Sequence, residues 1–121
     1  MSVPDMKVKE LRVGSRSVNV NLKVVNKLEE REVTARMDDS AHKVADVLVG
    51  DETGVIIMTL WDDLIGQVEE GMEIRVENGY TSIFKSSLRL NVGRYGKLLK
   101  AEGKVSTVDT AHNLSEKRIQ V

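Results

Sequence analysis

Aromatic and basic side chains that could bind a single nucleic-acid strand occur close together in this sequence. The chain has four aromatic residues, and all of them lie within one stretch of 35 residues: Trp61, Tyr80, Phe84 and Tyr95. Lysine and arginine are interleaved with these rings, at Lys85, Arg89 and Arg94. Rings can stack on bases for about 1–3 kcal/mol each, while lysine and arginine contact the backbone phosphates. The pattern predicts a strand-binding surface, although any one ring could instead only cover the core.

The charges are arranged in blocks. The net charge of −1, from 18 basic and 19 acidic residues, by itself argues against a nucleic-acid binder. However, residues 62–77 carry six acids and one base, whereas residues 80–100 carry five bases and no acid. Screening limits the reach of distant charges to about 8–10 Å, so a local basic surface can still bind phosphates. Charge alone does not separate such a surface from ordinary solvated strand faces.

The rings need a scaffold to position them, and residues 47–61 indicate most clearly that this scaffold is a β-sheet. Two glycines, Gly50 and Gly54, bracket a turn between two runs rich in β-formers. In the second run, period-two alternation places Ile56, Met58 and Leu60 on one face. This aliphatic face suits a core. Trp61 therefore lies on the other face, where it could stack on a ligand.

Alternation along the rest of the chain predicts an all-β domain. The predicted strands cover residues 18–31, 32–37, 42–49, 55–61, 72–77 and 88–92, with a loop or bent strand over 80–87. A helix of about two turns is predicted from Asp62 to Glu70, ended by Gly71. About five strands with one short helix between the third and fourth describe a five-stranded Greek-key OB-fold barrel, the oligonucleotide/oligosaccharide-binding architecture. The periodicity is also compatible with another small barrel.

The length of 121 residues is enough for one domain. We expect a barrel over residues 1–100 and a flexible tail or appended segment over residues 101–121, whose charges are mixed. No run approaches the ~18 apolar residues of a membrane span, and the first residues do not read as a signal peptide. The absence of cysteine fits a reducing compartment. The expected location is cytoplasmic and nucleoid-associated, without a membrane partner.

Residues for catalysis are scarce. Asp38, Asp39 and His42 could suggest a metal site, but a polar hairpin tip is by far the simpler explanation of these residues. Asp51 and Glu52 are adjacent in a strand and would point to opposite faces, so they are a poor acid–base pair. The sequence contains no Gly-rich phosphate loop and no nucleophile elbow. It therefore predicts no enzyme, no cofactor, no metal and no small-molecule substrate.

Five segments in order resemble the archaeal single-stranded-DNA-binding proteins, the related single-barrel human sensor proteins and the barrels of replication protein A. They are residues 13–20, 49–54, 59–63, 70–71 and 77–85, and the similarity runs from about residue 6 to 99. The resemblance implies an OB barrel in which Trp61, Tyr80 and Phe84 stack on bases. It also implies phosphate contacts from the matching basic residues: Lys85, Arg89, Arg36, Lys43 and Arg94.

The chain departs from the family at three places. Many archaeal members end in an acidic or glycine-rich tail, whereas residues 101–121 of this chain are mixed in charge. Asn91 stands where some relatives have a further aromatic residue, and Tyr95 could supply a ring nearby. Ser86 and Ser87 follow Phe84-Lys85 where the family often has glycine, which predicts a less free loop.

The function implied is sequence-tolerant binding of single-stranded DNA, which would protect exposed strands during replication, repair or recombination. One barrel would cover on the order of 4–6 nucleotides. Two alternatives stay open. The first is an OB-fold subunit that binds protein partners in a replication or repair complex. The second is a barrel that binds RNA, since stacking rings distinguish the two sugars poorly.

Overall fold

A computed structural model describes residues 5–34, 40–93 and 95–115, and strands dominate these residues. The strands are β1 (Val18–Thr34), β2 (Ala41–Asp51), β3 (Gly54–Trp61), β4 (Glu73–Phe84), β5 (Ser87–Asn91) and β6 (Lys97–Lys100). Short 3-10 helices occupy Val8–Glu10 and Asp62–Gln67. The second of these is the helix predicted after the third strand, although it is a 3-10 helix and ends at Gln67 rather than at Glu70.

Five of the strands close into a ring in the order β1-β2-β3-β5-β4, and β4 pairs back with β1. All neighbours are antiparallel except β3 and β5, which are parallel. β6 pairs with the first half of β4, outside the ring. A closed ring of five strands with one short helix between β3 and β4 confirms the predicted OB fold.

Two strands are longer than the sequence pattern predicted. The predicted break between residues 31 and 32 is absent, and β1 continues to Thr34 as one strand. Register shifts between Val24 and Asn26 and between Lys27 and Glu30 let it bend while it stays paired with β2. β4 continues through Tyr80 to Phe84, with an irregular pairing opposite β1 near Gly79. Asp38 and Asp39 of the predicted polar hairpin tip lie outside the described residues, whereas His42 lies in β2.

The core of the barrel is aliphatic, as predicted. Each ring strand contributes residues that are almost fully buried, among them Val20, Leu22, Val47, Ile56, Met58, Leu60, Ile74 and Leu90. No aromatic residue of the described part belongs to this cluster. The rings are thus available to the outer surface, since Val, Leu, Ile and Met fill the interior.

Residues 101–105 are held at the start of β4, and residues 112–115 lie along the outside of β3 and β5. The Val55 amide donates to the His112 carbonyl at 2.7 Å, and the Leu114 amide donates to the Val55 carbonyl at 2.9 Å. Ser115 is buried, and its Oγ accepts from the Ile57 amide at 2.8 Å. This segment buries Val55, which points away from the core. Where the domain boundary falls stays a prediction. No helix within the described ranges is long and apolar enough to cross a membrane.

Candidate nucleic-acid interface

The predicted rings share one outer face of the barrel. In the paired strands, Trp61 lies opposite Val44, Tyr80 opposite Asn91, and Phe84 opposite Ser87. Thr59 of β3 is also in register with Asn91 of β5, which joins the two halves of the surface. Because directly paired residues point to the same side of a sheet, Trp61, Tyr80 and Phe84 face the same way.

All three rings are half exposed. The exposed fractions are 47% for Trp61, 42% for Tyr80 and 40% for Phe84, whereas the aliphatic face of β3 is fully buried. Aromatic side chains normally contribute large areas to cores and interfaces. Three of them held on one open sheet face indicate a binding surface.

An open groove of about 490 Å³ contains these rings. It runs across β1, β2, β3, β4 and β5, and we call it the central groove. Its lining residues are Arg31, Val33, Thr34, His42, Val44, Thr59, Trp61, Tyr80, Ser82, Ile83, Phe84, Arg89 and Asn91. The sequence analysis selected four of these residues as candidates: Trp61, Tyr80, Phe84 and Arg89. Arg31, His42 and Asn91 are additional polar groups beside the rings.

Phe84 is surrounded by three cations. Its ring centroid lies 5.2 Å from Cζ of Arg31, 5.4 Å from Cζ of Arg89 and 5.4 Å from Nζ of Lys85. These distances are within the range of cation–π attraction. Arg31 was missed by the sequence analysis, which placed it only at the end of the strand predicted over residues 18–31. The ring and its three cations form the most basic part of the central groove.

A buried carboxylate holds two of these cations. Oδ2 of Asp46 lies 3.1 Å from Nη1 of Arg31 and 3.1 Å from Nη1 of Arg89. The Arg89 contact is an ion pair without hydrogen-bond geometry, and Oδ1 of Asp46 is buried with no hydrogen-bond partner among the described residues. One carboxylate against two guanidinium groups leaves a net positive charge beneath Phe84. Lys85, at the surface, adds to it.

Trp61 has its own polar neighbours. His42 meets the Trp61 ring edge-on, with centroids 6.1 Å apart and planes at 67°. Nδ1 of His42 lies 2.7 Å from Oδ2 of Asp62, and Nε2 lies 2.9 Å from Oγ of Ser40. The hydrogen bond with His42 is the main cause that lowers the pKa of Asp62 below its ordinary value. These contacts fix the imidazole that borders Trp61.

Comparison with known proteins agrees with this architecture. A family model described as "Single-stranded DNA binding protein Ssb-like, OB fold" matches residues 4–100. The chain belongs to this family. It is 34% identical over 95 residues to the single-stranded DNA binding protein Ssb of Saccharolobus solfataricus, which covers 78% of this chain and 63% of that protein. The chain thus spans less than two thirds of the length of this relative.

Solved structures show the same fold as this Ssb-like chain. The second OB-fold domain of replication protein A from Methanococcus maripaludis is 26% identical and superposes with a TM-score of 0.66. The superposition covers 85% of this chain and all of that domain. A hypothetical protein from Arabidopsis thaliana is 23% identical, with a TM-score of 0.78 over all of this chain and 89% of that one. At that identity, the likeness concerns the fold alone.

The remaining predicted site residues of this Ssb-like chain lie apart or outside the described part. Lys43 pairs with Glu32 and alternates with His42 and Val44, so it points away from the central groove. Arg36 and Arg94 lie outside the described residues. The structure therefore brings together Trp61, Tyr80, Phe84, Lys85 and Arg89, and it does not bring Lys43 to them.

Proposed function

We propose that this chain binds single-stranded DNA across the central groove with little sequence preference. Bases stack on Trp61, Tyr80 and Phe84, and phosphates lie near Lys85 and Arg31. The observation that carries the proposal is the set of three half-exposed rings on one open sheet face, with cations clustered around one of them. Membership of the Ssb-like family supports the same ligand.

Stacking supplies the affinity without reading the bases. Each ring contributes about 1–3 kcal/mol, and every base offers a π-face to it. The amide of Asn91 in the groove floor already donates to Oγ of Ser82 at 2.8 Å, so it is less available to base edges. We expect a site of on the order of 4–6 nucleotides, at the low end for one barrel.

Arg89 has a supporting role in this proposal. Its side chain is only 12% exposed and is paired with Asp46, so most of its charge acts from beneath Phe84. Arg31 is more exposed, at 27%, and Lys85 lies in the turn between β4 and β5. These two cations are therefore the ones best placed to meet a phosphate at the Phe84 end.

In a cell, such binding would protect exposed strands during replication, repair or recombination. Saccharolobus Ssb is named as a single-stranded DNA binding protein. Because the chain spans only 63% of that protein, its wider role and its protein partners are part of the proposal. The proposed role is binding without catalysis.

Trp61 makes the proposal directly testable, because it is the only tryptophan in the chain. Titration with a short oligo-dT should quench its fluorescence to saturation, and higher salt should weaken the binding. Trp61→Ala should lower the affinity about fivefold or more. Since this variant has no tryptophan, its binding would be measured by the anisotropy of a labelled oligonucleotide. Leu28→Ala is the matched control, since Leu28 is 48% exposed and does not line the groove.

Two results would argue against DNA as the ligand. If oligo-dT at tens of micromolar, roughly ten times a Kd of about 1 μM or more, did not quench Trp61 fluorescence, a protein partner would be favoured instead. That partner would be sought by pull-down. Tighter binding of oligo-U than of oligo-dT would favour RNA, because only contacts to the 2′-hydroxyl or the thymine methyl distinguish these strands.

A further inference from the structure

The central groove does not end at Tyr80. A second depression of about 340 Å³ is lined by Trp61, Leu64, Tyr80, Asn91 and Gly93, among others. A third, of about 470 Å³, lies beyond it between residues 14–17, 78–81, Gly93 and Tyr95. Tyr80 lines the groove and both depressions. A strand stacked on Tyr80 therefore has a continuous path into the third depression, which we call the Tyr95 depression.

The Tyr95 depression offers the same chemistry as the central groove. Tyr95 is 79% exposed, the most exposed large side chain of the described hydrophobic residues. Arg16 is also exposed and forms no ion pair with any described residue. The depression has no acidic residue in its lining. A ring, a cation and the absence of negative charge together suit a base and its phosphate.

Both walls of this depression are tied to β4. The side-chain amide of Asn78 donates to the Tyr95 carbonyl at 3.3 Å. On the other wall, the Thr81 amide donates to the Ser15 carbonyl at 3.0 Å, and the Ser15 amide donates to Oγ1 of Thr81 at 2.9 Å. These hydrogen bonds hold the two loops on either side of Tyr80.

Gly93 sets the position of the Tyr80 ring between the two depressions. Its φ is +79°, which favours glycine, and a Cβ there would lie 2.7 Å from Cε1 of Tyr80. The ring thus packs directly against the main chain of the loop that carries Tyr95. The approach to the Tyr95 depression is formed by the same ring that is proposed to stack on a base.

We propose that the Tyr95 depression binds a nucleotide adjacent to the one on Tyr80, with its base against Tyr95 and its phosphate near Arg16. This inference rests on the proposed binding of single-stranded DNA. It extends the site at the end opposite Phe84, and it places a fourth ring on the path of the strand.

Oligonucleotide length separates this site from the central groove. Wild-type affinity would be measured by anisotropy for oligo-dT of about 5 nucleotides, which fills the central groove, and of about 10, which reaches beyond it. Tyr95→Ala should weaken binding of the longer strand about fivefold or more and change binding of the shorter one less than twofold. Arg16→Ala should act in the same direction and flatten the salt dependence for the longer strand only.

Two further variants complete the test. Tyr95→Phe keeps the ring and should retain the affinity for the longer strand. Leu99→Ala removes an exposed side chain on β6 that is outside the depression, and it should have no effect at either length. Equal losses at both lengths, or no loss at either, would overturn the Tyr95 proposal while DNA binding stands. A wild-type protein that binds neither strand would instead defeat the proposed function.

Discussion

At the scale of single residues, Phe84 and its cations dominate the electrostatics of the central groove. Arg31 contributes a charge that is only partly neutralised by Asp46, and it lies within 5.2 Å of the ring centroid. A cation that contacts a phosphate near Phe84 would release counterions condensed on the DNA strand, and that release makes binding depend on salt. Arg31 is therefore a residue whose role can be read from a salt titration.

Arg31→Ala should weaken oligo-dT binding and reduce the slope of log K against log salt by about 0.7, the value for one phosphate contact on a single strand. Arg31→Lys should restore most of the slope because it restores the charge. Lys100→Ala removes an equal charge on β6, outside the groove, and should leave the slope unchanged. Thermal melts of each variant should accompany the titrations, since Arg31 also pairs with Asp46. An unchanged slope in folded Arg31→Ala would exclude a phosphate contact there.

Trp61 and Arg31 show why one groove residue could be predicted from the sequence and another could not. Trp61 ends a strand with unbroken alternation, so its face follows from the aliphatic face of Ile56, Met58 and Leu60. Arg31 lies beyond two register shifts in β1. Since each shift can reverse which face a residue occupies, alternation does not carry the face assignment across them.

At the scale of elements, the turn between β4 and β5 positions both Phe84 and Lys85. Phe84 pairs with Ser87, so Lys85 and Ser86 form a two-residue connection. Their φ angles are 50° and 64°, in the left-handed region that a type I′ hairpin turn requires at both central positions. The family often has glycine near this point. Ser86 therefore occupies a conformation in which its Cβ is unfavourable.

Ser86→Gly should stabilise the protein by up to about 1 kcal/mol. The substitution relieves a left-handed conformation that costs roughly 1–2 kcal/mol, and the greater freedom of glycine in the unfolded chain offsets part of this gain. Urea unfolding would measure the change. Ser86→Ala removes the hydroxyl but keeps Cβ, so it should bring no gain. Equal stabilisation by both substitutions would show that the backbone conformation is not the cause.

At the scale of the whole molecule, residues 101–115 were the part least accessible to sequence analysis. Their attachment uses main-chain hydrogen bonds to β3 and the buried hydroxyl of Ser115, and neither produces a periodic pattern. Asp51 was likewise considered only as a poor acid–base candidate. In the structure it is buried, and its carboxylate accepts from the amides of Val8 and Thr53. Irregular segments and single polar anchors of this kind carry little signal in one sequence.

Glu73, at the start of β4, joins this last segment to the barrel. Its carboxylate accepts from the amides of Val105 at 2.6 Å, Lys104 at 2.8 Å and Gly103 at 3.0 Å. The bond from Val105 is the largest cause that lowers the pKa of Glu73 below its ordinary value of 4.5. Among the described residues, the pKa values of four other carboxyl groups are also lowered, those of Asp5, Glu52, Asp62 and Asp109.

A lowered pKa in the folded state means that folding favours the ionised form. Each such group stabilises the protein fully above its unfolded pKa, and the contribution is lost as the pH falls through the lower folded pKa. Stability should therefore decline below about pH 4.5. Glu73→Ala should lower the melting temperature at pH 7, and the difference from wild type should shrink towards pH 3. Hydrogen exchange should be faster at the amides of Gly103, Lys104 and Val105.

Glu102→Ala provides the control for that experiment, because it removes a neighbouring carboxylate that accepts none of the three hydrogen bonds. Its melting temperature should stay close to that of wild type at both pH values. If Glu73→Ala showed the same deficit at pH 3 as at pH 7, the ionised carboxylate would not be what holds residues 103–105. The aliphatic packing of Val105, which is almost fully buried, would then account for the attachment of this segment.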